Sequence, residues 1–144
     1  MSQQGPSPVT HGRMKGMDRI REMLDKSEYI RALGIEMLEL SEEYAKGRMP
    51  FDAKYCNPFG TMHGGCLYSL ADTVAGTLAC NAGGNVVTVE GSLHFLEAAK
   101  DTEYVYCEAD MKKCGKTLVV VDVEVKDDGG KLLDSGSYSF FRTD

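Results

Sequence analysis

The stretch Asn57-Pro58-Phe59-Gly60-Thr61-Met62-His63-Gly64-Gly65, continued by Cys66-Leu67-Tyr68-Ser69-Leu70-Ala71-Asp72, runs a Pro/Gly-punctuated loop straight into a helical pattern. The Gly pair stands where that helix begins. Helix N-termini carry free N–H groups and partial positive charge, so they bind anions and polarise carbonyl oxygens. One carboxylate, Asp72, follows two turns later. Two readings are open: a tight turn with a solvated charge, or two parts of a site.

From His63 to about Ala82 the spacing predicts a helix with two unlike faces. At about 100° per residue, Leu67, Leu70, Ala71, Val74 and Leu78 share one arc, a core stripe. The opposite arc holds Gly65, Ser69, Asp72, Gly76, Ala79 and Gly83, all small except the one carboxylate. A solvated face would carry Lys, Glu and Gln, and a mid-helix Gly such as Gly76 costs about 1 kcal/mol against Ala. A small arc lets another backbone or a ligand come close. Gly64 and Asp72 are about 12 Å apart along the axis, at about 1.5 Å per residue. One helix therefore cannot bring both to a single carbonyl. Two copies packed antiparallel about a twofold axis would pair each Gly64 with the other's Asp72, which predicts a dimer with shared sites.

Downstream, Val86 to Leu96, Glu103 to Lys112, Thr117 to Lys126 and Leu132 to Phe141 read as successive strands. Lys113–Lys116 and Asp127–Gly130 read as hairpin turns. Val119, Val121, Val123 and Val125 alternate with Leu118, Val120, Asp122 and Glu124, giving one continuously apolar face. Upstream, Ile35–Leu40 and Tyr44–Phe51 predict a hairpin, with Pro50 near a strand end where a missing N–H does least harm. Met17 to Leu33 predicts an amphipathic helix, interrupted near Asp25-Lys26-Ser27 and stopped by Gly34. Residues 1–15, with two of the four prolines, read as a disordered extension, which leaves 16–144 as a single domain. Strands on one apolar face with a covering helix make an α+β layering.

At 144 residues the chain suffices for one domain with a real core. A net charge of −6 argues against a nucleic-acid surface, which needs an excess of Lys and Arg. No apolar run approaches the roughly 18–20 residues that span a bilayer, and the first residues hold no signal-like apolar segment. Cys56, Cys66, Cys80, Cys107 and Cys114 form no C-x-x-C pattern, so they read as reduced thiols of a cytoplasmic protein. His63 or His94 with Cys56 or Cys66 fits no common metal spacing.

The run Asn57-x-x-Gly60-x-x-His63-Gly64-Gly65, followed by Leu70-Ala71-Asp72, resembles the signature of hotdog-fold acyl-CoA thioesterases of the phenylacetate-degradation (PaaI-like) group of the 4-hydroxybenzoyl-CoA thioesterase superfamily. The likeness spans roughly residues 34–143. It extends through Val87-Thr88-Val89-Glu90, Phe95-Leu96-Glu97-Ala98-Ala99, Gly115-Lys116-Thr117 and Tyr138-Ser139-Phe140-Phe141. The resemblance implies an α+β hotdog fold, a curved antiparallel sheet of five to six strands around a long central helix, here with an extra N-terminal helix. It implies homodimers, often paired into tetramers, with sites at the subunit interface.

By resemblance, the Gly64 N–H polarises the thioester carbonyl and Asn57 orients substrate or attacking water. Asp72 of the other subunit is nucleophile or general base, and Thr88 stands where the family has a water-holding Ser or Thr. His63 is a supporting hydrogen-bonding residue there, or else a satisfied structural histidine. Gly65 joins the substrate-side set. Tyr68 lines the acyl pocket or the core, and Lys112, Lys113, Lys116 and Arg142 are candidates for phosphate contact or plain surface. No cofactor is implied beyond the CoA of the substrate. The implied activity is hydrolysis of small aryl- or medium-chain acyl-CoA. The alternative is a non-catalytic acyl-CoA-binding hotdog protein, since fold alone does not fix function.

Overall fold

Alternation sets the sheet and one helix fills its inner face. A computed structural model describes residues 8–143. The helices are α1 (Pro8–Asp25), α2 (Glu28–Leu33) and α3 (Gly64–Gly83). The strands are β1 (Glu36–Leu40), β2 (Tyr44–Pro50), β3 (Val86–Phe95), β4 (Tyr104–Cys114), β5 (Leu118–Asp127) and β6 (Leu132–Arg142). They form one six-stranded antiparallel sheet in the order β1-β2-β4-β5-β6-β3. The expected valine face of β5 is real: Val119, Val121, Val123 and Val125 are all buried. So is the stripe Leu67, Leu70, Ala71, Val74 and Leu78 that α3 lays against the sheet. Sheet and helix together make the expected hotdog layering.

Register shifts interrupt the β1–β2, β3–β6, β4–β5 and β5–β6 pairs. Each bulge bends its strand and adds twist, which curls a sheet around a helix. The β3 bulge also decides which residues face inward. Thr88 pairs with Phe140 and Glu90 with Ser139, so Val89 is the extra residue. Buried Phe140 and Tyr138 mark the inner face of β6. Thr88 therefore faces the helix, and beyond the bulge Gly91, Leu93 and Phe95, opposite Tyr138, Gly136 and Asp134, face it too.

Two expectations change. α1 starts at Pro8, inside the stretch read as disordered, and residues 1–7 of that stretch lie outside the described residues. The predicted interruption at Asp25-Lys26-Ser27 is present, with the Ser27 hydroxyl oxygen accepting from the Ile30 N–H at 3.2 Å and Gly34 (φ 72°) closing α2. The second concerns the small arc of α3: the close approach it permits is taken up, over most of its length, by this chain's own strands. A Cβ on Gly76 would sit 3.4 Å from the Phe140 ring, and one on Gly83 would sit 3.1 Å from the Arg142 guanidinium. Ala79 is fully buried, and Ser69 shares a 2.7 Å hydrogen bond with Tyr29 of α2. Small residues here let the curled sheet close down on the helix.

Candidate active site

The loop before α3 is built around Asn57. Its Oδ1 accepts from the N–H groups of Phe59 (2.9 Å) and Thr61 (3.3 Å), and its Nδ2 donates to Thr61 Oγ1 at 2.9 Å. These bonds fold a turn in which Gly60 takes φ 83°, the left-handed region that glycine enters without strain. One amide hydrogen of Nδ2 is left over, because a primary amide has two. Backbone bonds Met62 N–H to Ala99 O (3.0 Å) and His63 N–H to Tyr55 O (2.8 Å) then deliver the chain to the helix start.

His63 is the N-cap: its Nδ1 accepts from the Gly65 N–H at 3.0 Å. This is the satisfied structural role, and it places the ring hydrogen on Nε2. The same bond consumes the Gly65 amide. Cys66 and Leu67 N–H groups go to the His63 carbonyl at 3.0 and 3.4 Å. Among the described residues, the Gly64 N–H has no partner. It opens on a cavity of about 280 Å³ lined by Asn57, Thr61, Gly64, Leu67, Phe95 and Asp134, among others. The Phe95 ring lies so close that a Cβ on Gly64 would be 3.2 Å from it. A side chain at this position would have to shift the Phe95 ring by a few tenths of an ångström.

Asp72 lies two turns along α3, half-buried, and accepts from the Thr88 hydroxyl at 2.8 Å. Burial holds its carboxyl above the usual carboxylate range, and the Thr88 hydrogen bond partly offsets that. Asp72 does not line the Gly64 cavity. The unbroken helix between them keeps the two roughly 12 Å apart along its axis. Each half alone is incomplete for carbonyl chemistry: one has a donor and a pocket, the other a carboxylate with its hydrogen-bonding partner.

The remaining candidates scatter. Tyr68 is half-buried and stacks on Tyr138 with ring centroids 5.1 Å apart, while the Tyr138 hydroxyl donates to the Tyr68 carbonyl at 3.1 Å. It does not line the cavity. Lys116 is exposed in the β4–β5 turn, at the Gly83 end of α3 and far from Gly64. Arg142 is occupied by the carbonyls of Gly83 (2.6 Å) and Gly115 (3.1 Å). Two pocket residues, Phe95 and Asp134, had no place in the sequence-derived site. Their signal lies in the β3–β6 register, which sets both on the inner face as direct neighbours.

Comparison with known proteins identifies the family and the fold. The model of the Thioesterase superfamily matches residues 59–133. The acyl-coenzyme A thioesterase PaaI of Escherichia coli is 30% identical over 112 residues, covering 77% of this chain and 79% of that protein. The solved structure of E. coli PaaI superposes with a TM-score of 0.86 at 24% identity, covering 92% of this chain and 96% of that one. Smu.793 from Streptococcus mutans, solved bound to acetyl CoA, matches with a TM-score of 0.72 at 23% identity, covering 76% and 88%. The chain is a PaaI-like hotdog thioesterase and belongs to the thioesterase superfamily.

Proposed function

We propose that the chain hydrolyses acyl-CoA thioesters at a site shared by two copies, with residues 16–144 as one catalytic domain. The unpartnered Gly64 N–H at the start of a 20-residue helix carries this reading. In one copy this amide meets the thioester oxygen and stabilises the charge that develops as the carbonyl becomes tetrahedral. From the other copy Asp72 either takes the proton from an attacking water and passes it to the CoA sulfur as the C–S bond breaks, or attacks the carbonyl carbon itself, expelling CoA thiolate and leaving a mixed anhydride that water then hydrolyses to the free acid. Thr88 holds the Asp72 carboxylate in place, and the spare Nδ2 hydrogen of Asn57 is available to orient substrate or water.

The open edge of β3 supports the pairing. Among the described residues β3 pairs with β6 alone, which leaves one backbone edge of its ten residues free. Val87 and Val89 are each more than half exposed there. Long apolar edges of this kind are normally covered. A second copy laid along β3 would cover it, and a pair of such dimers would give the tetramer. The cavity suits a small aryl or short-to-medium acyl group, since an apolar cavity of about 150 Å³ already holds benzene. No described helix is long and apolar enough to cross a membrane. The free thiols Cys56, Cys66, Cys80, Cys107 and Cys114 suit the cytoplasm.

Thiol release from a panel of acyl-CoAs, with Asp72→Asn beside the wild type, tests the reading. The variant is expected to lose about 10²- to 10⁴-fold in kcat, the range for removing a general base. Undiminished turnover would remove Asp72 from the mechanism. Absence of turnover with every acyl-CoA would favour a binding protein.

A further inference from the structure

β6 places Asp134, Gly136, Tyr138 and Phe140 on the inner face, opposite the buried Val125, Val123, Val121 and Val119 of β5. Alternation asks for an apolar side chain at the first of these positions, and the chain supplies a carboxylate. Asp134 is 0% exposed. Neither Oδ1 nor Oδ2 has a hydrogen-bond partner among the described residues. A buried polar group without a partner is among the costliest features a core can hold, and native structures rarely keep one without a use.

Its surroundings show what that use is. Asp134 lines the same cavity as Asn57, Gly64 and Leu67. It pairs directly across the sheet with Phe95, the ring that lies against Gly64. The carboxyl is thus one side chain away from the amide assigned to the thioester oxygen. Among the described residues, the other charged one lining the cavity is also an acid, Glu97, which already faces Lys131 at 3.7 Å, and no Lys, Arg or His lines it.

We propose that Asp134 is a specificity-determining residue of the acyl pocket, pairing with a hydrogen-bond donor, a hydroxyl or an amine, carried by the acyl group of the substrate. The proposal rests on the Gly64 reading above, because that amide fixes which end of the substrate enters the cavity. Burial lifts the Asp134 carboxyl to about 7. Near neutral pH it therefore offers either an acceptor pair or an O–H, and both satisfy a hydroxyl. The ionised form satisfies an ammonium. The same two acids turn away acyl groups that end in a carboxylate, which would enter as a like charge.

Matched CoA thioesters test this: butyryl-, hydroxybutyryl-, aminobutyryl- and succinyl-CoA, with benzoyl-, hydroxybenzoyl- and aminobenzoyl-CoA as the aryl set. The wild type is expected to favour a donor-bearing member over its plain partner by about 10- to 100-fold in kcat/KM, and to use succinyl-CoA worst. Asp134→Leu should bring that ratio close to one. Asp134→Asn should keep a preference for hydroxyl and lose any for amine, which identifies the donor. Calorimetric binding of the same pairs to Asp72→Asn reads the preference as a ratio of Kd values when turnover is low. If no acyl-CoA is turned over, the catalytic reading fails, and the binding ratios still decide the role of Asp134. A folded Asp134→Leu with the wild-type ratio would overturn the proposal, as would a wild type without preference for either donor.

Discussion

The two ends of the α3 site differ in how they are held. At the Gly64 end nearly every polar group is committed: Asn57 is committed to its turn, His63 to the Gly65 amide and the loop backbone to Tyr55 and Ala99. What has no partner there, among the described residues, is the Gly64 N–H, one Asn57 Nδ2 hydrogen and the Asp134 carboxyl, all lining a shaped cavity. At the Asp72 end the carboxylate has one partner, Thr88, on an edge strand whose far side is open. A donor is held inside one chain, whereas a half-buried carboxylate sits beside an edge strand. The proposed site of two copies would use both, with the amide fixing the geometry and the carboxylate supplied by the second copy.

Complementation between two variants carries the largest expected effect. Asp72→Asn and Gly64→Pro, which removes the amide N–H at a first helical position that tolerates proline, should each be nearly inactive alone. An equilibrated equal mixture should recover about a quarter of wild-type activity, since half the dimers are mixed and each mixed dimer keeps one intact site. No recovery after proven subunit exchange would show that one chain supplies both groups.

The next effect is on stability at the pocket end. The Asp134 carboxyl is raised from 3.8 to about 7. Below about pH 4 it is protonated in both folded and unfolded chains. As pH rises to about 7 the unfolded chain ionises first, so the folded state loses stability, by at most about 4 kcal/mol. Asp134→Leu should remove this loss, and urea unfolding between pH 4 and 8 would read it. Cys107 and Tyr138 are its titrating neighbours, and burial raises both well beyond this window. A wild-type and variant difference that is flat with pH would place the Asp134 charge elsewhere.

A charge on the open edge sharpens the contrast from the other side. Val89→Lys, at a position 59% exposed, should yield monomers by sedimentation and lose most activity while the fold persists. A fully active monomer would contradict the shared site. The smallest effect belongs to Thr88→Val. The Thr88 hydrogen bond lowers the Asp72 pKa against the burial that raises it. Removing the bond raises that pKa, so the acid limb of the rate profile should move to higher pH, with a several-fold loss near neutrality. An unmoved limb would mean that the Thr88 bond does not tune Asp72.

Much of this was legible in the sequence because periodicity is local. The valine alternation of β5, the Leu67–Leu78 stripe and the Gly34 stop each need only a few neighbouring residues to read. The unbroken helix from Gly64 to Asp72 was equally plain, and with it the separation of the two groups. What packs against a face is not local. The wheel showed that Gly76 and Gly83 share a small arc, but only the folded sheet shows Phe140 and Arg142 resting on it. Asp134 was hidden for a related reason: its position faces inward only once β6 is paired with both β3 and β5. The pattern around Val89 also concealed the bulge, since one inserted residue leaves the run Val86-Val87-Thr88-Val89 looking like uninterrupted strand.

That inserted residue has a consequence for how the protein can change. Val89 works as a phase shifter: on one side of it even-numbered positions address the helix, on the other odd-numbered ones do. Thr88, which serves Asp72, and Phe95, which walls the Gly64 cavity, therefore sit on one strand at opposite parity. Loss of a single residue at Val89 would turn either Thr88 or Phe95 away from the helix while leaving the other in place. The length of β3 is accordingly as much a part of the site as any side chain on it.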